Sequence, residues 1–175
     1  MKEKIGGLLA LLVALMFAIA LGAYDTSSAA TANQQVQVSV QESISISVDS
    51  PVNFGNQSAG STYTSPSYNI DNTGNVKIDL YANTNDTAFT PTTPNTNDTI
   101  PIAGNYKIKS NVTGSFEQLS TSLLKIYDNM PKASQGPGTP FTWTTQQQLT
   151  IPAFTEDGTY VITLIYTAVK HGQQP

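Results

Sequence analysis

Cysteine and arginine are both absent from this chain of 175 residues, and each absence excludes a class of function. Without thiols the chain has no disulfide, no thiol nucleophile and no thiolate metal site. Its eight basic residues are all lysines, and they face twelve acidic residues, for a net charge of −4. Because phosphate affinity comes from neutralising positive charge, we expect no binding to nucleic acid.

Histidine is nearly absent as well. The single histidine, His171, lies close to the C-terminus beside a glycine, and we expect the tail from residue 170 to 175 to be frayed. A frayed histidine cannot supply a catalytic triad or a transition-metal site. The one local pair of carboxylates, Glu156 and Asp157, is predicted to lie on a solvated turn. We therefore expect no enzyme activity and no cofactor.

The sequence has a single long apolar run, at residues 5–23, which follows a short charged N-terminus. Small residues offer cleavage sites after Gly22 and Ala30, which is typical of a secretory signal peptide. The run is long enough to approach a membrane span, so a retained anchor is the alternative. We expect residues 1–30 to be one or the other, and the mature chain to begin between Ala23 and Thr31.

Residues 31–175 are predicted to form one domain outside the cytoplasm, at the cell surface or in the medium. Only 11% of all residues are charged, while 39% are hydrophobic, which favours a neutral-polar surface around an apolar core. Membrane contact is expected only through residues 5–23, if that run is not cleaved.

Alternation with a period of two dominates the domain. Along residues 35–48 the apolar side chains fall on even positions and the polar ones on odd positions, and only Glu42 interrupts the apolar face. That pattern predicts a half-buried strand, with a bulge or bend at Glu42 that divides it in two. The even-numbered apolar residues are Val36, Val38, Val40, Ile44, Ile46 and Val48.

Three further stretches show the same period. Residues 69–82 predict strand, turn and strand, with an antiparallel pairing across the turn. Residues 141–151 predict a strand or a pair with a break at the glutamines. Residues 159–169 are apolar on both faces, which predicts a central strand.

The intervening segments predict loops and one helical turn. Residues 83–97 are rich in Asn, Thr and Pro, so we expect an exposed loop that is dispensable for folding. Residues 116–121 have helical spacing, and residues 124–126 follow as a strand. About seven to nine strands with a turn every ten residues or so favour an all-β, antiparallel, immunoglobulin-like β-sandwich.

Several short sequence motifs that are typical of turns and strands follow one another in an order similar to that of a known family. They are residues 52–55, 72–76 with 80–81, 149–152, 158–160 and 163–168. This order resembles secreted, immunoglobulin-like surface proteins of archaea, and more loosely bacterial WxL-type surface domains, although Trp143 is followed by two threonines and no leucine. The resemblance implies a structural role at the cell surface and implies no catalytic residue.

Two kinds of modification or ligand site can be proposed from residue type. Oxygen-rich loops could bind Ca²⁺, although Asx residues in turns also bond their own backbone. The calcium candidates are Asp71, Asp79, Asp86 and Asp98. Four N-x-S/T sequons are candidates for N-glycosylation, at Asn56, Asn85, Asn97 and Asn111.

Two functions remain open at this stage. The first is a secreted structural subunit of a filament or surface coat, whose partner is itself or another surface component. In that case residues 35–48 could be donated as a strand to a neighbouring subunit, or could pair within their own domain. The second is a monomeric adhesion or binding module held in the membrane by residues 5–23.

Overall fold

Thirteen short β-strands and no helix make up the regular structure of the residues that the computed structural model describes, which are 31–49, 51–135 and 138–175. The chain divides into two units, residues 1–39 and 40–175, and all the strands lie in the second. The strands are β1 Ile46–Val48, β2 Thr62–Thr64, β3 Tyr68–Asn72, β4 Ile78–Thr84, β5 Ala88–Pro91, β6 Ile100–Pro101, β7 Tyr106–Lys109, β8 Phe116–Gln118, β9 Leu124–Met130, β10 Phe141–Thr145, β11 Gln147–Thr150, β12 Tyr160–Val161 and β13 Leu164–Lys170.

Every strand pair is antiparallel, and the strands form four small sheets. Their orders are β1-β3-β10, β2-β11-β7-β8, β12-β5-β6 and β13-β4-β9. The predicted all-β, antiparallel class is confirmed, and the arrangement is that of a β-sandwich-like fold. The strands are shorter and more numerous than predicted because breaks divide the long alternations, for example between β12 and β13.

One apolar core joins the sheets. Its largest fully buried side chains come from β3, β4, β7, β9 and the segment after β8, and they are Ile70, Ile78, Leu80, Ile108, Leu119, Ile126 and Met130. Strand β4 is buried at every residue except Asn83, and it is paired on both sides. It is therefore the central strand of its sheet.

The last strand was predicted to be central, and that prediction is wrong. Strand β13 pairs only with β4 and lies at the edge of its sheet. Ile165, on its outward face, is 40% exposed. The prediction failed because apolar residues on both faces of a strand indicate only what packs against the two faces of the sheet. They do not show whether a second strand lies beside it.

The stretch 69–82 does form strand, turn and strand, but the two strands do not pair with each other. Strand β3 pairs with β1 and β10, whereas β4 pairs with β9 and β13. The turn therefore carries the chain from one sheet to another, and the predicted hairpin is wrong.

Two loop and helix predictions are also wrong. Residues 83–97 contain β5, which pairs with β6 and β12, and Phe89 within it is only 7% exposed. The Phe89 ring packs edge-to-face on Tyr106, with ring centroids 4.9 Å apart. Residues 116–118 form strand β8 instead of a helical turn, and the predicted strand at 124–126 is confirmed as part of β9.

No membrane-spanning helix occurs among the described residues. The predicted signal peptide or anchor, residues 1–30, lies outside them.

Candidate assembly site

The segment predicted as one long strand is divided where Glu42 interrupts its apolar face. After Glu42 the chain pairs with β3 and the turn that follows it, in its own domain. The backbone N–H groups of Thr73 and Asn75 donate to the carbonyl oxygens of Ser45 and Ser43, at 2.9 and 3.0 Å. These bonds extend the pairing of β1 back to residue 43, so this half of the segment belongs to its own domain.

The turn after β3 is shaped to hold that half. A Cβ atom on Gly74 would lie 2.4 Å from the carbonyl oxygen of Ser43, so only glycine allows the approach. Asn72 is fully buried, and its side chain donates to the carbonyls of Val76 and Pro131, both at 3.0 Å. Its side-chain oxygen accepts the N–H of Gly74 at 2.9 Å. The sequence predicted this turn. The structure shows that its glycine is needed because the Ser43 backbone passes close to Gly74.

Among the described residues the chain before Glu42 forms no strand, and its last residue, Gln41, is held by its carbonyl oxygen, which accepts the side-chain N–H of Asn75 at 2.8 Å. The side chains of Val36, Val38 and Val40 are 85%, 83% and 81% exposed. Valine is β-branched and favours strands, and the three valines alternate with polar residues. Residues 35–41, called here the free segment, therefore have the sequence pattern of a strand but pair with no strand among the described residues.

Among the strands that the structure describes, β13 pairs with β4 on one side and with none on the other. Two hydrogen bonds frame its ladder with β4, from the N–H of His171 to Lys77 at 2.9 Å and from the N–H of Asn85 to Thr163 at 3.0 Å. In antiparallel sheets, hydrogen-bonded residues alternate with non-bonded ones, so the odd-numbered residues of β13 face β4. The residues whose backbone N–H and C=O point away from β4 are Leu164, Tyr166 and Ala168.

This edge, called here the β13 edge, is the longest without a covering segment in the described part of the chain. Strand β13 has seven residues, no proline and one charge, on Lys170 at its end. Natural edges are usually blunted by charges, prolines or bulges. Strand β9 is equally long, but its pairing with β4 is irregular, and Ile126 on its other side accepts the N–H of Asn111 at 2.8 Å.

A buried network of hydroxyls anchors β13 to the core. Tyr106 donates to the side-chain oxygen of Gln147, whose amide nitrogen donates to the Tyr68 hydroxyl at 3.0 Å. The hydroxyls of Tyr68 and Tyr166 lie 2.7 Å apart. Burial raises the pKa of all three tyrosines, so the phenols stay neutral and can donate. The network links β7, β11, β3 and β13.

A second anchor surrounds the carboxylate of Asp79 on β4, which is 2% exposed. Burial raises its pKa, but the donors around it have the larger combined effect and hold the pKa below its ordinary value. The donors are the N–H of Asn129 at 2.9 Å, His171 Nδ1 at 2.7 Å, the N–H of Gly172 at 3.2 Å and Lys125 Nζ at 3.1 Å. The tail predicted to fray from residue 170 is thus held at its first positions.

The same cluster is an ion-pair network that leaves little room for a cation. The carboxylates of Asp79 and Asp128 and the imidazole of His171 lie close enough to ligate one ion. The ammonium of Lys125, however, already bonds both carboxylates, at 3.1 and 3.0 Å. A metal ion would have to displace that ammonium.

The other three calcium candidates are not brought together with Asp79. Within the described residues, Asp71, Asp86 and Asp98 belong to no cluster of three or more carboxylate or imidazole groups. Asp86 accepts the N–H of the following residue at 2.6 Å, and Asp98 accepts the N–H of Glu156 at 2.9 Å. Asp86 therefore bonds the backbone of its own turn, the alternative that residue type left open, whereas Asp98 bonds the backbone of a loop that is 58 residues away in sequence.

The four sequon asparagines are all exposed. They are Asn56, Asn85, Asn97 and Asn111. Each lies outside a strand.

No protein-family model and no curated protein sequence matches this chain. The free segment and the β13 edge are therefore the features on which its function has to be argued. The valines of the free segment were visible in the sequence. The open edge and the Lys125 ammonium were not, since both depend on contacts between distant parts of the chain.

Proposed function

We propose that this chain is a secreted structural protein of the cell surface, an immunoglobulin-like sandwich that polymerises into a filament or coat by β-strand addition. The observation that carries the proposal is the presence, in one chain, of a strand-forming segment with exposed valines and of a seven-residue strand with one side unpaired among the described residues. The resemblance of its turn phrases to archaeal surface proteins agrees with such a role.

Backbone chemistry gives the reason for assembly. An extended segment cannot satisfy its own N–H and C=O groups, and an open edge leaves half of its groups free. Pairing the two satisfies both, and strand addition to a sheet edge is a general mode of recognition. At about 3.3 Å per residue the free segment spans roughly 23 Å, the same length as β13.

The donated part is shorter than the sequence suggested. Residues 43–48 are held in their own domain, and the Gln41 carbonyl bonds the Asn75 side chain, so the part that remains to be donated lies within residues 35–41. Donation from one subunit to the next, repeated head to tail, makes an open filament instead of a closed ring. Removal of residues 1–30 as a signal peptide would free the segment at its N-terminal side, and N-terminal sequencing of the mature protein tests that step.

The proposal is tested by replacing Val36, Val38 and Val40 together with serine in the secreted full-length protein. A matched control replaces Gln35, Gln37 and Gln41 with serine and keeps the valines. We expect the control to polymerise like the natural protein, as followed by sedimentation and electron microscopy, and the valine variant to remain a folded monomer.

Two outcomes would contradict polymerisation by this segment. One is a valine variant that polymerises as well as its control. The other is a natural protein that stays monomeric at high concentration, which would favour the adhesion or binding module instead.

A further inference from the structure

We infer that the acceptor is the β13 edge of a second copy of this chain, and that the free segment adds antiparallel with Val36 opposite Ala168, Val38 opposite Tyr166 and Val40 opposite Leu164. The inference rests on the proposed function. It names the surface and the register that the proposed function leaves open.

The register follows from the direction of the backbone groups. Leu164, Tyr166 and Ala168 point their N–H and C=O groups away from β4, and their side chains pack against the core. In an antiparallel pair, residues that exchange both hydrogen bonds carry their side chains on the same face. Residues opposite these three must therefore be apolar. The valines meet this condition, and a slip of one residue would place glutamines and a serine over the core.

The core face of β13 is also incompletely covered. Leu164, Tyr166 and Ala168 pack on the core but remain partly exposed. A row of valines beside them would bury both rows, in cross-strand pairs with Cβ atoms about 5 Å apart. The odd-numbered polar residues of the free segment would face outward, beside Thr167 of the acceptor.

A second copy is the occupant because of where the free segment ends. Glu42, which follows it, forms an ion pair with Lys170 at the C-terminal end of β13. If the preceding residues folded back along their own β13, they would have to run parallel to it. All strand pairs in the described residues are antiparallel, and antiparallel addition of a segment that ends beside Lys170 requires the β13 of another molecule.

Backbone methylation of a peptide tests the register. The full-length chain with Val36, Val38 and Val40 replaced by serine is mixed with a synthetic peptide of residues 34–42. We expect the peptide to bind and to slow amide exchange at Tyr166 and Ala168. Methylation of the peptide nitrogens of Val36 and Val38 should weaken binding at least about tenfold, because it removes two hydrogen bonds to the edge.

The matched control is the same peptide methylated at Gln37 and Ser39, whose N–H groups point away from β13 in this register. It should bind within about threefold of the unmodified peptide, a difference of less than one typical hydrogen bond. Equal loss for both methylated peptides, or protection of amides elsewhere than β13, would overturn the inferred site.

Disulfide mapping in assembled protein tests the site independently, and the chain has no cysteine of its own to interfere. A chain carrying Gln37→Cys is assembled with a chain carrying Thr167→Cys, and the linked peptides are identified by mass. We expect this disulfide between copies, and none when the second chain carries Thr142→Cys on β10 instead.

The outcomes separate the two proposals. Filaments linked through Thr142→Cys and not through Thr167→Cys would overturn the β13 edge and leave strand addition standing. A chain with both Gln37→Cys and Thr167→Cys that links within one monomer would overturn the second copy as occupant. The absence of both filaments and links would overturn the proposed function as well.

Discussion

Asp79 stays ionised in the fold because donors surround a carboxylate that is almost cut off from water. Its pKa in the folded state is lowered, so its contribution to stability is complete above the ordinary value near 4 and is lost as the pH falls below that value. Asp79→Asn should therefore lower the free energy of unfolding at pH 7 by about 2 to 4 kcal/mol. It should also reduce the loss of stability between pH 6 and pH 3.

The matched control is Asp128→Asn, which removes an exposed carboxylate from the same lysine. Exposed ion pairs contribute about 0 to 1 kcal/mol, so its effect at pH 7 should be small. Urea unfolding at a series of pH values measures both variants. Equal effects of the two substitutions would show that the cluster is not organised around Asp79.

At the scale of elements, β5 makes the segment 83–97 part of the fold. Phe89 is buried against Tyr106, so Phe89→Ala should lower the free energy of unfolding by about 3 to 5 kcal/mol. Pro94→Ala, at the exposed tip of the same segment, should change it by less than about 0.5 kcal/mol. Urea unfolding compares them, and a Phe89 variant as stable as the Pro94 variant would restore the view of a dispensable loop.

The sequence predicted strands better than it predicted their neighbours. Alternation located β3, β4, β10 and β11 and the break between the last two, because a period of two follows directly from which face is buried. It could not tell that β3 and β4 lie in different sheets, since pairing depends on backbone groups that all residues share. The buried Phe89 was missed because it is an isolated large apolar residue in a segment rich in Asn, Thr and Pro.

The same limit applies to the candidate site. The valines were predicted to belong to a strand that could be donated, and Glu42 to interrupt it, from the alternation of apolar and polar residues alone. The open side of β13 could not be foreseen, because an edge is defined by the absence of a neighbour. Asp79 was proposed as a calcium ligand, but its partner Lys125 is 46 residues away in sequence and unrelated by any local pattern.

For the whole molecule, strand addition should stabilise the subunit by mass action. A peptide of residues 34–42 at a concentration 100 times its dissociation constant should raise the free energy of unfolding of the valine-to-serine variant by about 2.7 kcal/mol. Thermal unfolding with and without peptide measures the shift. A scrambled peptide with the same composition is the control, and an equal shift with both peptides would indicate non-specific binding.

The free segment and the β13 edge are different parts of one chain, and this has a consequence for the polymer as an object. Each subunit would have one donor, the free segment, and one acceptor, the β13 edge, so the two ends of a filament would be chemically different. One end would expose the valines of an unpaired free segment, and the other would expose an unpaired β13 edge. The peptide of residues 34–42 would stop growth at the end that exposes a β13 edge. The valine-to-serine variant would stop growth at the end that exposes a free segment, so either end could be capped separately.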